Sequence, residues 1–173
     1  MSTTYKPLYT ASATITIAPE NVASSSTFVA GVESTAVSNI STLYDDVLVS
    51  GQWTAGTTPT TNTYVQIYVY APISDDLASA VVYPDVIDGT SSAETFTSVG
   101  VMTSGIYFAA ALSVDSTTSN RVYYCRPFSV AALFGYNMPT RWGLFISHNT
   151  GVNSNTTAGN HVWSFVGVQY QSV

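Results

Sequence analysis

The stretch Arg141–Val173 reads RWGLFISHN, then TGVNSNTTAG, then NHVWSFVGVQYQSV. Two β-rich runs flank a loop of Gly, Asn, Ser and Thr, a composition that belongs at the surface. Side chains alternate across a strand with period two. In the first run Trp142, Leu144, Ile146 and His148 share a face, opposite Gly143, Phe145 and Ser147. In the second, His161, Trp163 and Phe165 share one face, and Val162, Ser164, Val166, Val168 and Tyr170 the other. The second run is apolar on both sides, so something beyond one core must cover its second face. If the two runs pair with each other, His148 faces His161 and Trp142 covers Gly167. If they belong to opposite sheets, that register does not apply.

The 173 residues are enough for one domain with a substantial core. The chain is 46% hydrophobic but only 8% charged, against a norm of about 25%. Its polar surface is therefore built from hydroxyls and amides, which cost little to desolvate compared with charges. The net charge is −6, with Lys6, Arg121, Arg126 and Arg141 as the bases. Sequence-independent nucleic-acid binding needs clustered cations, so neither nucleic acid nor an anionic membrane is an expected partner. Cys125 stands alone and is expected to be a buried, inert thiol. No apolar run approaches the roughly 20 residues of a membrane helix. The first residues, MSTTYKPLYTASATITI, show no secretory pattern, and cytosolic assembly is expected.

Outward from the C-terminal runs, the chain divides into an exposed N-terminal arm, 1–12, and one β-sandwich domain, 13–173. Tyr64–Ala71 is the cleanest strand: Val65, Ile67 and Val69 face a core, and Tyr64, Gln66, Tyr68 and Tyr70 face away. Gly105–Asp115 reads as a strand with Ile106, Phe108, Ala110, Leu112 and Val114 inward and Tyr107, Ala109, Ala111 and Ser113 outward. A short helix is expected near Asp75–Val81, a short edge strand over Thr95–Val101, an edge strand over Arg121–Phe128, and one helical turn at Ser129–Phe134 ended by Gly135. About eight to ten strands at short spacing imply an all-β fold. Long loops and the absence of tight Asn-Gly hairpins favour a jelly-roll-like antiparallel β-sandwich, with an immunoglobulin-like sandwich as the alternative.

Motifs for chemistry are absent. There is no Gly-x-Ser-x-Gly elbow, and adjacent Ser147 and His148 point to opposite faces of their strand. Two histidines fall short of the three or four protein ligands of a zinc site. Asp75, Asp76, Asp85, Asp88 and Glu94 lack calcium-loop spacing and read as caps and turn residues. No catalytic, cofactor or metal residue is assigned, and an enzyme is not expected. Trp53, Trp142, Trp163 and the tyrosines keep a carbohydrate-binding module open as the alternative. The expected interface residues are Tyr64, Gln66, Tyr68, Tyr70, Tyr107, Ala109 and Ala111, because interfaces are charge-depleted and rich in aromatics.

Four stretches, TITIAPENVASSSTFVAGVEST, YPDVIDGTSSAETFTS, RPFSVAALFG and TRWGLFISHNTGVNSNTTAGNH, resemble small all-β structural proteins of tailed bacteriophages. Capsid cement or decoration proteins fit best. The resemblance implies a virion protein on the head exterior, assembled in the host cytoplasm. It also implies a homotrimer that binds the major capsid protein and stabilises its lattice.

Overall fold

The computed structural model describes residues 5–172. In chain order it runs β1 (Tyr5–Tyr9), β2 (Ala13–Thr14), β3 (Ala30–Glu33), β4 (Val37–Ser38) and β5 (Asp46–Thr54). There follow β6 (Thr63–Tyr70), β7 (Ser74–Asp75), β8 (Val81–Val82), β9 (Ala93–Thr95) and α1 (Val99–Gly105). The chain closes with β10 (Tyr107–Val114), β11 (Val122–Ser129), α2 (Val130–Leu133), β12 (Arg141–His148) and β13 (Val162–Ser172).

Two antiparallel sheets form the sandwich. The first has the order β1-β13-β5-β11, with β2 also on β13. The second has the order β10-β6-β12-β3-β9, with β4 also on β12. The pairings are nested: β3 with β12, β5 with β11, β6 with β10, and β7 with β8 at the centre. A long hairpin rolled onto itself gives this nesting, so the sandwich is jelly-roll-like. Two departures matter. The innermost pair β7·β8 stands as its own two-stranded sheet, and β13 extends the first sheet by pairing with β5.

The strands form where alternation is clean. In β6, Val65, Ile67 and Val69 are fully buried between the sheets. They meet Val47, Val49 and Trp53 of β5, Trp142, Leu144 and Ile146 of β12, and Trp163 and Phe165 of β13 in one core. Trp142 and Phe165 cross the gap edge to face, 5.3 Å between ring centres. β12 and β13 therefore lie in opposite sheets, and His148 does not pair with His161 across a ladder. Gly167 is covered by Tyr44, not by Trp142.

A second core lies outside the second sheet. Tyr68, Tyr70 and Phe145 on its outer face are roofed by Ile87, Phe96, Met102 and Ile106 from the excursion between β8 and β10. α1 closes this roof, with Ser98 as its N-cap and Met102 as its buried residue. The alternation of β6 reads the tyrosine face as outward from the main core; the roof comes from 15 to 40 residues further along the chain, which alternation cannot report.

Three local expectations are corrected. The edge strand expected over Thr95–Val101 is β9 at Ala93–Thr95, and Ser98 caps α1 instead of continuing it. Residues 75–81 form no helix: β7 and β8 make a hairpin, and the Asp76 carboxylate accepts the N–H groups of Ala78, Ser79 and Ala80 across its turn. Asp competes with helix by such local bonds to the backbone. In β10 the register shifts between Phe108 and Ala110. This bulge leaves Ala110, Leu112 and Val114 inward but turns Phe108 to the outer face beside Tyr68. The helical turn α2, capped by Ser129 and followed by Gly135 at φ 68°, is as expected, and β11 is an edge strand.

Candidate interaction surface

The expected interface row is divided by the roof. Tyr64 is 44% exposed and Gln66 half-buried, but Tyr68 is 5% exposed and Tyr70 fully buried. The Tyr70 hydroxyl donates to the Ser34 carbonyl at 2.5 Å, and burial pushes its phenol far above the usual tyrosine range. On the neighbouring strand Tyr107 and Ala111 are exposed and Ala109 is half-buried. Tyr107 stacks against Phe134, 4.5 Å between centres. Phe108, 52% exposed, sits beside Tyr68 at 5.7 Å. Free surface on this side is therefore Tyr64, Phe108 and Ala111. Phe108 is the residue that unbroken alternation misplaces.

A second exposed region comes from the chain's two ends. β1 pairs with β13 from Tyr5↔Ser172 to Tyr9↔Val168, whereas β5 reaches along β13 only to Val168. Beyond Val168, β1 is the strand partner of β13, aided by the Asp45 carboxylate accepting from the Tyr170 N–H. Every residue of β1 is exposed, and so is Tyr170. The result is a two-stranded ribbon carrying Tyr5, Pro7, Leu8, Tyr9 and Tyr170 into solvent. Two-stranded ribbons are marginal in water without a covered face. Of the expected arm, residues 1–4 lie outside the described residues; residues 5–9 are this strand.

The second face of β13 is the outer face of the first sheet. Val168 is buried there, while Val162 is exposed. Val162, Gln52 and Tyr124 lie in one row across β13, β5 and β11, and Tyr124 is 72% exposed. Its cover is thus incomplete, and the row adds a third aromatic patch.

The histidines meet in an unexpected way. His148 ends β12 in the second sheet and His161 precedes β13 in the first, and both rings pack on Trp53, at 5.2 and 6.1 Å. The His148 Nε2 is 3.0 Å from the Val22 carbonyl and the His161 Nε2 is 3.1 Å from the Asn155 carbonyl. A carbonyl only accepts, so Nε2 carries the hydrogen in each. The His161 Nδ1 then accepts from the Thr54 N–H at 3.3 Å, and the His148 Nδ1 faces the Thr150 hydroxyl at 3.0 Å. Burial holds both imidazoles below their usual pKa range. Neutral, hydrogen-bonded and against a tryptophan, they pin the loop 149–160 to the sandwich. The Ser147 hydroxyl bonds the Ala30 carbonyl on the opposite side of the strand and offers no nucleophile to either ring.

The acidic residues serve turns. Asp75 accepts from Arg141 at 3.0 Å and from Thr140 at 2.8 Å; Asp85 accepts from Thr97; Asp88 accepts from Thr90. Among the described residues no three His, Cys, Asp or Glu side chains converge as a metal site. Cys125 is buried, and burial pushes its thiol up to about 11. A cleft of about 360 Å³ between Gly56, Asn120 and the 152–156 loop is lined by amides and hydroxyls without a titratable side chain. All three tryptophans are buried, so none is a stacking platform for sugar. No helix among the described residues is long and apolar enough to cross a membrane. Compared with known proteins, the chain matches no family, no curated sequence and no solved structure.

Proposed function

We propose that the chain is a structural protein of a tailed-phage virion, a cement or decoration protein. It docks on the outside of the head and stabilises the major capsid protein lattice, with self-association into a trimer. The observation that carries this reading is the β1·β13 ribbon, an exposed strand pair bearing Tyr5, Leu8, Tyr9 and Tyr170. Such a ribbon gains stability when its face is covered, and aromatic, charge-poor surface is what interfaces bury. The Tyr64–Phe108 and Tyr124–Val162 patches on the two outer faces supply further contacts, so one copy has surface for both a neighbouring copy and the shell. A scarcity of charge, 8% of residues, keeps the desolvation cost of such contacts low. The resemblance of the four quoted stretches to small all-β structural proteins of tailed bacteriophages points the same way. Many copies, each adding a modest contact free energy across capsomer boundaries, would reinforce a shell through multivalency.

The carbohydrate-binding alternative loses its best groups, since Trp53, Trp142 and Trp163 are all in the core. Cosedimentation of the purified protein with assembled heads tests the proposal. Saturable binding to expanded shells, reduced by Leu8→Ser with Tyr9→Ser, is expected. Binding to polysaccharide with none to shells overturns it.

A further inference from the structure

Glu33 is a carboxyl with no exposed surface, on the strand that carries the roof of the second sheet. Its oxygens face one loop of the roof. Oε1 accepts from the Asp88 N–H at 3.2 Å and Oε2 from the Gly89 N–H at 3.4 Å, while the Ser92 hydroxyl, 3.4 Å from Oε1, donates to Glu94 at 2.9 Å. The backbone fastens the same loop: the Glu33 N–H donates to the Ser92 carbonyl and the Ala36 N–H to the Gly89 carbonyl, both at 2.9 Å. The side-chain bonds are at the long end for hydrogen bonds and compensate an anion poorly.

The Asp88 side chain also disfavours an anion at Glu33, while the Asp88 and Gly89 N–H groups favour one. The Asp88 carboxylate lies against it and shares a hydrogen bond with it. Tyr70 of β6 feels its charge, as does Tyr83 at the start of the roof, and Glu94 of β9 bonds the same Ser92 hydroxyl at 2.9 Å. The base on this side, Arg141 of β12, is held by Asp75 at 3.0 Å and bears on Tyr83.

We propose that Glu33 is a proton-operated latch: protonated, it holds the 83–105 roof on the second sheet, and ionised, it loosens that roof to uncover the Tyr68, Tyr70 and Phe145 face. The inference does not depend on the docking reading. Burial, aided by the Asp88 carboxylate and opposed by the Asp88 and Gly89 N–H groups, raises the Glu33 pKa from 4.5 to about 7. With the roof open the carboxyl returns to an ordinary value near 4.5. Between those values the closed form holds a proton that the open form lacks, so raising the pH favours opening. Over that window the opening equilibrium rises on the order of 10²-fold and then levels off.

Amide hydrogen exchange, corrected for intrinsic rates, tests this between pH 4.5 and 8.5. Exchange in the native chain is read at Gly89 and Phe96, whose N–H groups bond Glu33 and the Val29 carbonyl, relative to Val47 and Val49 of β5. Protection of the roof should fall on the order of 10²-fold between pH 4.5 and 7 and level off above the carboxyl's titration midpoint near 7, and Glu33→Gln should remove the pH dependence. Asp88→Asn, which keeps Glu33 but removes its anionic neighbour, should move the midpoint down and serves if Glu33→Gln does not fold. A carbon-13 titration of the Glu33 carboxyl gives the midpoint directly. Flat protection in the native chain, an unchanged profile in Glu33→Gln, or a carboxyl titrating near 4.5 overturns the latch.

Discussion

Replacement of Tyr68 by alanine separates the two roles open to the tyrosine face. If that face were a free interface, Tyr68→Ala would weaken association and leave the monomer's stability nearly intact. The structure places Tyr68 at 5% exposure, between Phe108 at 5.7 Å and Phe145 at 6.2 Å, beneath the roof. Truncating a buried aromatic costs about 3–5 kcal/mol through lost transfer free energy and the cavity left behind. The Tyr68 hydroxyl, which bonds Gln66 near the surface, can find water on opening, so the lower half of that range, about 3–4 kcal/mol, is expected. Phe108→Ala, at a half-exposed ring, should cost about 1 kcal/mol by the same area reasoning. Urea denaturation of both variants at fixed pH measures the difference through the midpoints, with the slope reporting any change in compactness. A cost below about 1 kcal/mol for Tyr68→Ala, at unchanged slope, would refute the second core. The roof would then not rest on the sheet.

Other consequences follow from particular contacts. A Cβ at position 143 would overlap the Tyr70 ring, so Gly143→Ala should cost about 2–3 kcal/mol through overpacking and the displaced Tyr70–Ser34 bond, read as a lower Tm. His148 and His161 are held neutral by burial, so the unfolded chain takes up their protons first. Stability should therefore fall as pH drops below about 6.5, and His161→Gln should flatten that slope, because a protonated Nδ1 would point a hydrogen at the Thr54 N–H. Glu33 acts with the opposite sign: its contribution is present below pH 4.5 and is lost as pH rises to about 7, by about 3 kcal/mol. Denaturation curves for Glu33→Gln and His161→Gln should thus diverge from the wild type in opposite directions. Leu8→Ser with Tyr9→Ser, at exposed ribbon positions, should change monomer stability by under about 0.5 kcal/mol while reducing association measured by sedimentation.

The elements legible in the sequence are those whose burial is one-sided and local. Val65, Ile67 and Val69 alternate cleanly and are core; Ser129 and Gly135 bracket a helical turn as their chemistry requires. What stayed hidden depends on distant parts of the chain. α1, VGVMTSG, buries one residue and has no apolar periodicity to announce it. The β10 bulge at Ala109 reverses the face of Phe108 without any glycine to mark it. The roof over Tyr68 and Tyr70, and the meeting of His148 and His161 on Trp53 from opposite sheets, are products of topology. The apolar second face of β13 is a related case. Val162 and Tyr170 do stand exposed there, and the sequence pattern rightly asked for a cover that the described chain supplies only in part.

The most direct test of the docking account is a density map of intact particles containing this protein. Density for the sandwich is expected on the outer surface of the head, astride boundaries between capsid subunits. The β1·β13 ribbon should be buried against the shell or a neighbouring copy. Density confined to the tail would contradict it.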